Sequence, residues 1–226
     1  MNDSESRILD QAKELIFQRG VRSVTMDDIA RELGISKKTI YQFYKNKAEI
    51  VYEVAMAHFR AEEAHSEAIS REATNAIDEE FRILMWSLQV FQTMAPNLVA
   101  EVRKYYPRAW EIFERFQTDY IMRKVRDNLD RGIEEGLYRP EIDRDVIAQL
   151  RLAQVEWFLG LHRPGADQFP PIRIQIQLFD LYMHGICTEE GRRQLSQYVA
   201  QVREQASSLQ GLHNFDPLKG SLDNGH

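Results

Sequence analysis

Four lysines, Lys37, Lys38, Lys45 and Lys47, fall within residues 34–47, a stretch that contains no acidic side chain. The same stretch holds Ser36, Thr39, Tyr41, Gln42 and Tyr44. Hydroxyls, an amide and aromatic rings set among cations are the groups that meet phosphate oxygens, base edges and thymine methyls. The rest of the chain has the opposite charge. Over 226 residues the formal net charge is −6, and residues 1–50 hold nine Lys/Arg against eight Asp/Glu. That balance excludes a protein that coats nucleic acid over its whole surface, and it leaves room for one local reading patch.

Catalytic and metal chemistry find little support. His58, Glu62 and His65 follow one another at i, i+4 and i+7, but no cysteine is near and the His-Glu-x-x-His order is absent, so a wet helix face is expected there. Cys187 is the single cysteine, so it forms no internal disulfide, has no second thiol to resolve it, and is expected to be a buried, inert thiol in a reducing cytoplasm. Asp127 and Asp130, and Glu134 and Glu135, read as the wet face of an amphipathic helix. Glycine-rich phosphate loops and nucleophile elbows are missing from the sequence. The expectation is a protein that recognises rather than catalyses, with no cofactor and no metal. The first ten residues carry no apolar run, and no 18-residue apolar stretch occurs, so neither a signal peptide nor a membrane span is predicted.

Helical periodicity supplies the elements that hold the basic patch. Ile8, Leu9, Ala12, Leu15 and Ile16 form the face of a first helix that Gly20 ends. Thr25, with Asp28 three residues on, starts a second helix, whose inward face is Ile29, Ala30 and Leu33 and which Gly34 terminates. Ser36 caps a third helix, with Ile40 and Phe43 inward. Asn46, with Glu49, starts a fourth, reaching about Ser70. Two short helices joined by a glycine turn are the arrangement of a helix-turn-helix, whose second helix enters the major groove. Lys37, Lys38, Thr39, Tyr41, Gln42 and Tyr44 then face outward. Lys45 and Lys47 flank the fourth helix's N-terminus, a place suited to phosphate.

Here the chain resembles the TetR/AcrR family of transcriptional regulators. The resemblance covers roughly residues 4–55 and is carried by Gly-Ile-Ser-Lys-Lys-Thr-Ile-Tyr at 34–41 and Phe-Tyr-Lys-Asn-Lys at 43–47. It implies a homodimer with two DNA-binding heads, a partly palindromic double-stranded operator, and repression relieved by a small ligand. By position it assigns DNA contacts to Thr25, Ser36, Lys37, Lys38, Thr39, Tyr41, Gln42, Tyr44 and Lys47. Lys45 joins them on charge. Asp27 departs from the pattern, standing where some members have a basic base-reading residue.

Longer helices are predicted over 74–95, 107–135, 143–162 and 172–186, with a shorter one over 96–105 and a last one from Thr188 to about Ala206. Residues 163–167 and Pro170-Pro171 read as loop, and 207–226 as a flexible tail. No strand-like alternation of useful length occurs. The expected architecture is all-α: a helix-turn-helix domain over 1–50, a ligand-binding and dimerisation domain over 51–206, then the tail. Trp86, Trp110 and Trp157, with Phe113 and Tyr120, are the expected ligand-lining residues. The family resemblance places the dimer contact on the helices near 143–162 and 172–186. There Ile147, Leu150, Val155, Phe158 and Leu159 make one stripe, and Ile172, Ile176, Phe179 and Met183 the other. Two rival readings remain: an all-helical carrier or enzyme with an incidental basic face, and a helical protein-binding scaffold. Salt-dependent duplex binding separates the regulator from both.

Overall fold

The computed structural model describes residues 3–159 and 171–208. Among them the chain is all-α, and its only β feature is an isolated bridge between Tyr138 and Cys187. The predicted loop at 163–167, Pro170, and the part of the predicted tail beyond Ser208 lie outside the described residues.

Helix α1 (Asp3–Arg19) buries the five residues its periodicity marked and stops at Gly20, whose φ of 81° is left-handed. Helix α2 (Met26–Leu33) opens on a complete capping box: Asp28 N–H donates to Thr25 Oγ1 at 3.1 Å, and Thr25 N–H donates to Asp28 Oδ2 at 2.9 Å. Gly34, φ 64°, ends it. Ser36 accepts from Thr39 N–H to start α3 (Lys37–Ile40), and Asn46 accepts from Glu49 N–H to start α4 (Lys47–Glu72).

The body follows with α5 (Ala76–Thr93), α6 (Leu98–Tyr105), α7 (Pro107–Arg115), a π-helical turn (Phe116–Ile121), α8 (Met122–Glu134), α9 (Arg144–Phe158), α10 (Pro171–Ile186) and α11 (Glu189–Ser208). The single helix expected over 107–135 therefore carries a wide turn in its middle. The turn stacks Phe116 on Tyr120, with ring centroids 5.3 Å apart, and aims Tyr120 Oη at the Glu63 carbonyl of α4, 3.0 Å away. Asp143 caps α9, and Thr188 Oγ1 accepts from Gly191 N–H in the first turn of α11.

Two apolar clusters organise the chain. The body cluster gathers Ile77, Leu84, Leu129, Tyr138, Met183, Ile186 and Leu195. A buried polar network stiffens it: Tyr138 Oη donates to Asn128 Oδ1 at 3.1 Å, and Asn128 Nδ2 donates to the Ala76 carbonyl and to Glu79. Cys187 is buried in this cluster, as expected, and burial holds its thiol up at about 12. The head cluster joins α1 to α4 around Ile8, Ile29, Ile40, Tyr44 and Ile50, and it takes Leu98 of α6 and Ala109 of α7 into the same core.

On α9 and α10 the expected apolar stripes divide. Phe158, Ile176, Phe179 and Met183 are buried, and Ile147 packs against the body core. The large apolar side chains that these helices show to solvent are Val146, Leu150 and Trp157 on α9 and Leu181 on α10.

Candidate nucleic-acid interface and body cavity

Helix α3 is a single turn, shorter than its spacing predicted, and the chain leaves it through a tight turn at 41–43. This corrects one expected contact. Both Phe43 N–H and Tyr44 N–H donate to the Ile40 carbonyl, and it is Tyr44, at i+4, that follows Ile40 into the core. Tyr44 is only 3% exposed, while Phe43 is partly buried. Burial and the carboxylates of Glu5, Glu53, Glu49 and Asp10 hold the Tyr44 hydroxyl up at about 12. Tyr44 is therefore a core residue in this structure rather than part of the exposed reading face.

The other candidates share one surface. Ser36, Lys37, Lys38, Tyr41, Gln42 and Lys45 are exposed, and Thr39 and Lys47 are half-buried at its edge. The Ser36 and Thr39 hydroxyls lie 2.9 Å apart. Thr25 is also exposed, but its hydroxyl donates to Asp28 Oδ2 at 2.6 Å. Asp27, the departure noted in the sequence, meets Lys37: Nζ to Oδ2 is 3.0 Å, and that contact raises the Lys37 ammonium above its ordinary range. At the start of α4, Glu49 reaches back to Lys45 N–H at 2.7 Å, while Asn46 takes Glu49 N–H. Two donors of that terminus are thus already used, and Lys47 is its first residue.

A cavity of about 330 Å³ opens between the helices of the body. Trp86, Trp110, Phe113 and Tyr120 line it. Trp157 does not. It is 38% exposed on the outer side of α9, because Arg151, Val155 and Phe158 take the inward positions and Trp157 stands about 100° around the helix from Phe158. Several lining residues escaped the sequence reading. Val51, Ala55, His58, Glu62, Ser66 and Ile69 of α4 all face the cavity, so the His58–Glu62 face is an inner wall rather than a wet surface. Their spacing of 4, 3, 4, 4 and 3 is the signal that extends the Val51 stripe along α4. Ile16 and Phe17 of α1 also line the cavity, so its wall includes the head.

The cavity's polar groups are few. Arg151 pairs with Glu80 at 3.3 Å and stacks on Tyr182, 4.7 Å from the ring centre; burial pushes the Glu80 carboxyl up against that pairing. Lys124 lies 3.6 Å from Glu79 and 3.7 Å from Glu67. Trp86 Nε1 donates to Glu62 Oε2 at 3.0 Å, and the His65 ring lies over Trp86 at 3.8 Å. His58 packs edge-on against Phe17 at 4.9 Å, and burial brings its imidazole down to about 4, so it is neutral at pH 7. Among the described residues no group of three or more metal-ligating side chains forms, and no helix is long and apolar enough to cross a membrane.

A helix-turn-helix head on an all-helical body defines a DNA-binding regulator, and comparison with known proteins identifies its kind. Residues 8–54 match the family model described as bacterial regulatory proteins, tetR family. The chain is 32% identical over 189 residues to the uncharacterized HTH-type transcriptional regulator YvaF of Bacillus subtilis, covering 82% of this chain and 97% of that one. It is 26% identical over 173 residues to the HTH-type transcriptional repressor KstR2 of Mycobacterium tuberculosis, covering 73% of this chain and 84% of the relative. Its fold matches that of a putative transcriptional regulator from Saccharomonospora viridis solved in complex with choline, with a TM-score of 0.67, 20% identity, and 84% and 100% of the two chains covered. The chain belongs to the TetR family of bacterial transcriptional regulators. It is a DNA-binding regulator of transcription and not an enzyme.

Proposed function

We propose that the protein is a homodimeric repressor that holds a partly palindromic operator with two heads and releases it when a small apolar or aromatic ligand fills the body cavity. The observation that carries this reading is the cavity wall, which is built from both parts: Ile16 and Phe17 come from the head's first helix, Trp86 and Trp110 from the body. Helix α4 spans the same distance, with Lys47 at the reading surface and His58 and Glu62 at the cavity. A ligand that favours a different setting of α4 and α1 displaces the head from its half-site, and its differential affinity for the two settings fixes how far operator binding falls. Dimerisation through α9 and α10 is supported by Val146, Leu150 and Leu181, which are 61%, 51% and 67% exposed on the outer faces of those helices. Selection of bound sequences from random duplex DNA tests the whole reading. A palindrome is expected, and recovery of a single unrepeated half-site would overturn the two-headed arrangement.

The reading assigns phosphate contacts to Lys37, Lys38, Lys45 and Lys47 and base contacts to the Thr39–Tyr41–Gln42 surface, with Ser36 and Thr25 at its edge. With about three phosphate contacts per head, log K against log salt falls with a slope of about −5. Lys47→Ala weakens every duplex about equally and flattens the slope by about 2, one contact per head; an unchanged slope removes Lys47 from the phosphate contacts. Gln42→Ala relaxes preference at one base pair of each half-site, at a cost of about 1–3 kcal/mol per lost contact. A variant that loses affinity yet keeps the full preference profile shows that Gln42 is not a reader.

A further inference from the structure

Charge in the cavity is unevenly settled. Among the described residues that line it, both cations are spent: Arg151 on Glu80, and Lys124 on Glu79 and Glu67. Glu62 has no such partner. Among the described residues its carboxylate accepts one hydrogen bond, from Trp86 Nε1, and its nearest basic nitrogen is His58 Nδ1 at 3.9 Å, on a ring that is neutral at pH 7. His58 Nδ1 itself is buried and makes no hydrogen bond. The Glu62 side chain is 21% exposed and lines the cavity, so its carboxylate offers an unpaired negative charge and free acceptor positions to whatever enters.

Around Glu62 the walls are aromatic. Trp86 holds its carboxylate directly, and Phe59 of α4, Trp110 and Phe113 of α7, and Phe116 and Tyr120 of the π-helical turn also line the cavity. Phe59 bridges the group, with centroids 4.7 Å from Phe116 and 5.7 Å from Phe113. Ring faces attract cations and repel anions, so the rings and the carboxylate select the same sign of charge.

We propose that the ligand of this cavity is a lipophilic monocation, an ammonium group on an apolar or aromatic skeleton, with its charge seated against Glu62 between the aromatic rings. The proposal rests on the reading of the cavity as the effector site and names the chemistry of what enters it. An anionic ligand meets Glu62 with no unpaired cation among the described cavity residues to answer it, and a neutral one leaves the carboxylate as it stands.

The test uses the full-length dimer and three probes with one skeleton: 4-phenylbutylamine, 4-phenylbutanol and 4-phenylbutanoate, titrated by tryptophan fluorescence and by calorimetry. The amine is expected to bind at least about 10-fold more tightly than the alcohol, and the acid most weakly. In Glu62→Gln, close in shape to the native side chain, the amine is expected to lose about 10-fold while the alcohol binds as before, so retained alcohol binding reports an intact cavity. If the alcohol or the acid binds as tightly as the amine, or if Glu62→Gln keeps the amine preference, the cation is wrong and the cavity reading stands. If none of the three binds, the effector-site reading falls with it.

Discussion

Placing aspartate at both Leu150 and Leu181 is expected to split the protein into monomers and to lower operator affinity by about 100-fold or more. A head tethered to its partner binds the second half-site at high effective concentration, and losing the tether forfeits that gain without touching a single DNA contact. Both side chains are more than half exposed, so within one subunit the change costs little, about 0.5 kcal/mol or less per site. Across a two-fold axis the same change buries four carboxylates face to face. Sedimentation gives the mass, and titration with a whole operator and with an isolated half-site gives the two affinities. The half-site affinity should hold while the whole-operator affinity drops. A variant that stays dimeric places the interface elsewhere.

The second large effect is on stability. Gly132→Ala is expected to destabilise the fold by about 3 kcal/mol. A Cβ at Gly132 would lie 2.0 Å from Tyr138 Cδ2 and 2.5 Å from its Cγ, and that ring cannot move aside. It is fully buried, its hydroxyl is tied to Asn128, and the Leu137 and Tyr138 N–H groups both donate to the Gly132 carbonyl. Tyr138→Phe provides the scale: it keeps the ring and drops one buried hydrogen bond, for about 1–2 kcal/mol. Denaturant unfolding at one fixed protein concentration measures both. If Gly132→Ala loses no more than Tyr138→Phe, the ring has room that the structure does not give it.

Local rules made much of the head legible. Thr25, Ser36 and Asn46 cap the helices assigned to them, and Gly20 and Gly34 adopt the positive φ that ends a helix. Each of these is decided by a few neighbouring residues. Tyr44 was misplaced because helical period was carried past Ile40, where the helix stops; the hydrogen bonds of the following turn set its direction. His58 and Glu62 were read as wet because two polar residues on one face look solvated, and only the placement of α5 and α7 opposite them encloses that face. Trp157 fell outside the cavity because composition says nothing of which side of α9 meets α10. The π-helical turn at Phe116–Ile121 left no trace in the apolar spacing.

The head's core is not its own. Leu98 and Ala109 sit inside it, Ala95 N–H donates to the Phe17 carbonyl at 2.6 Å, and Arg22 N–H donates to Glu101 at 2.9 Å. A fragment ending near residue 50 would leave that apolar surface uncovered, the Phe17 carbonyl without its Ala95 N–H donor and the Arg22 N–H without its Glu101 acceptor. The reading head is therefore not a cassette. Grafting it onto a relative's body requires α6 and the start of α7 to travel with it, so a chimera cut at the apparent domain boundary inherits a torn core. Inheritance faces the same constraint: a recombination at that boundary tears the core, whereas point changes at the exposed Lys38, Tyr41 and Gln42 of the proposed reading surface leave the buried Ile40 and its core in place.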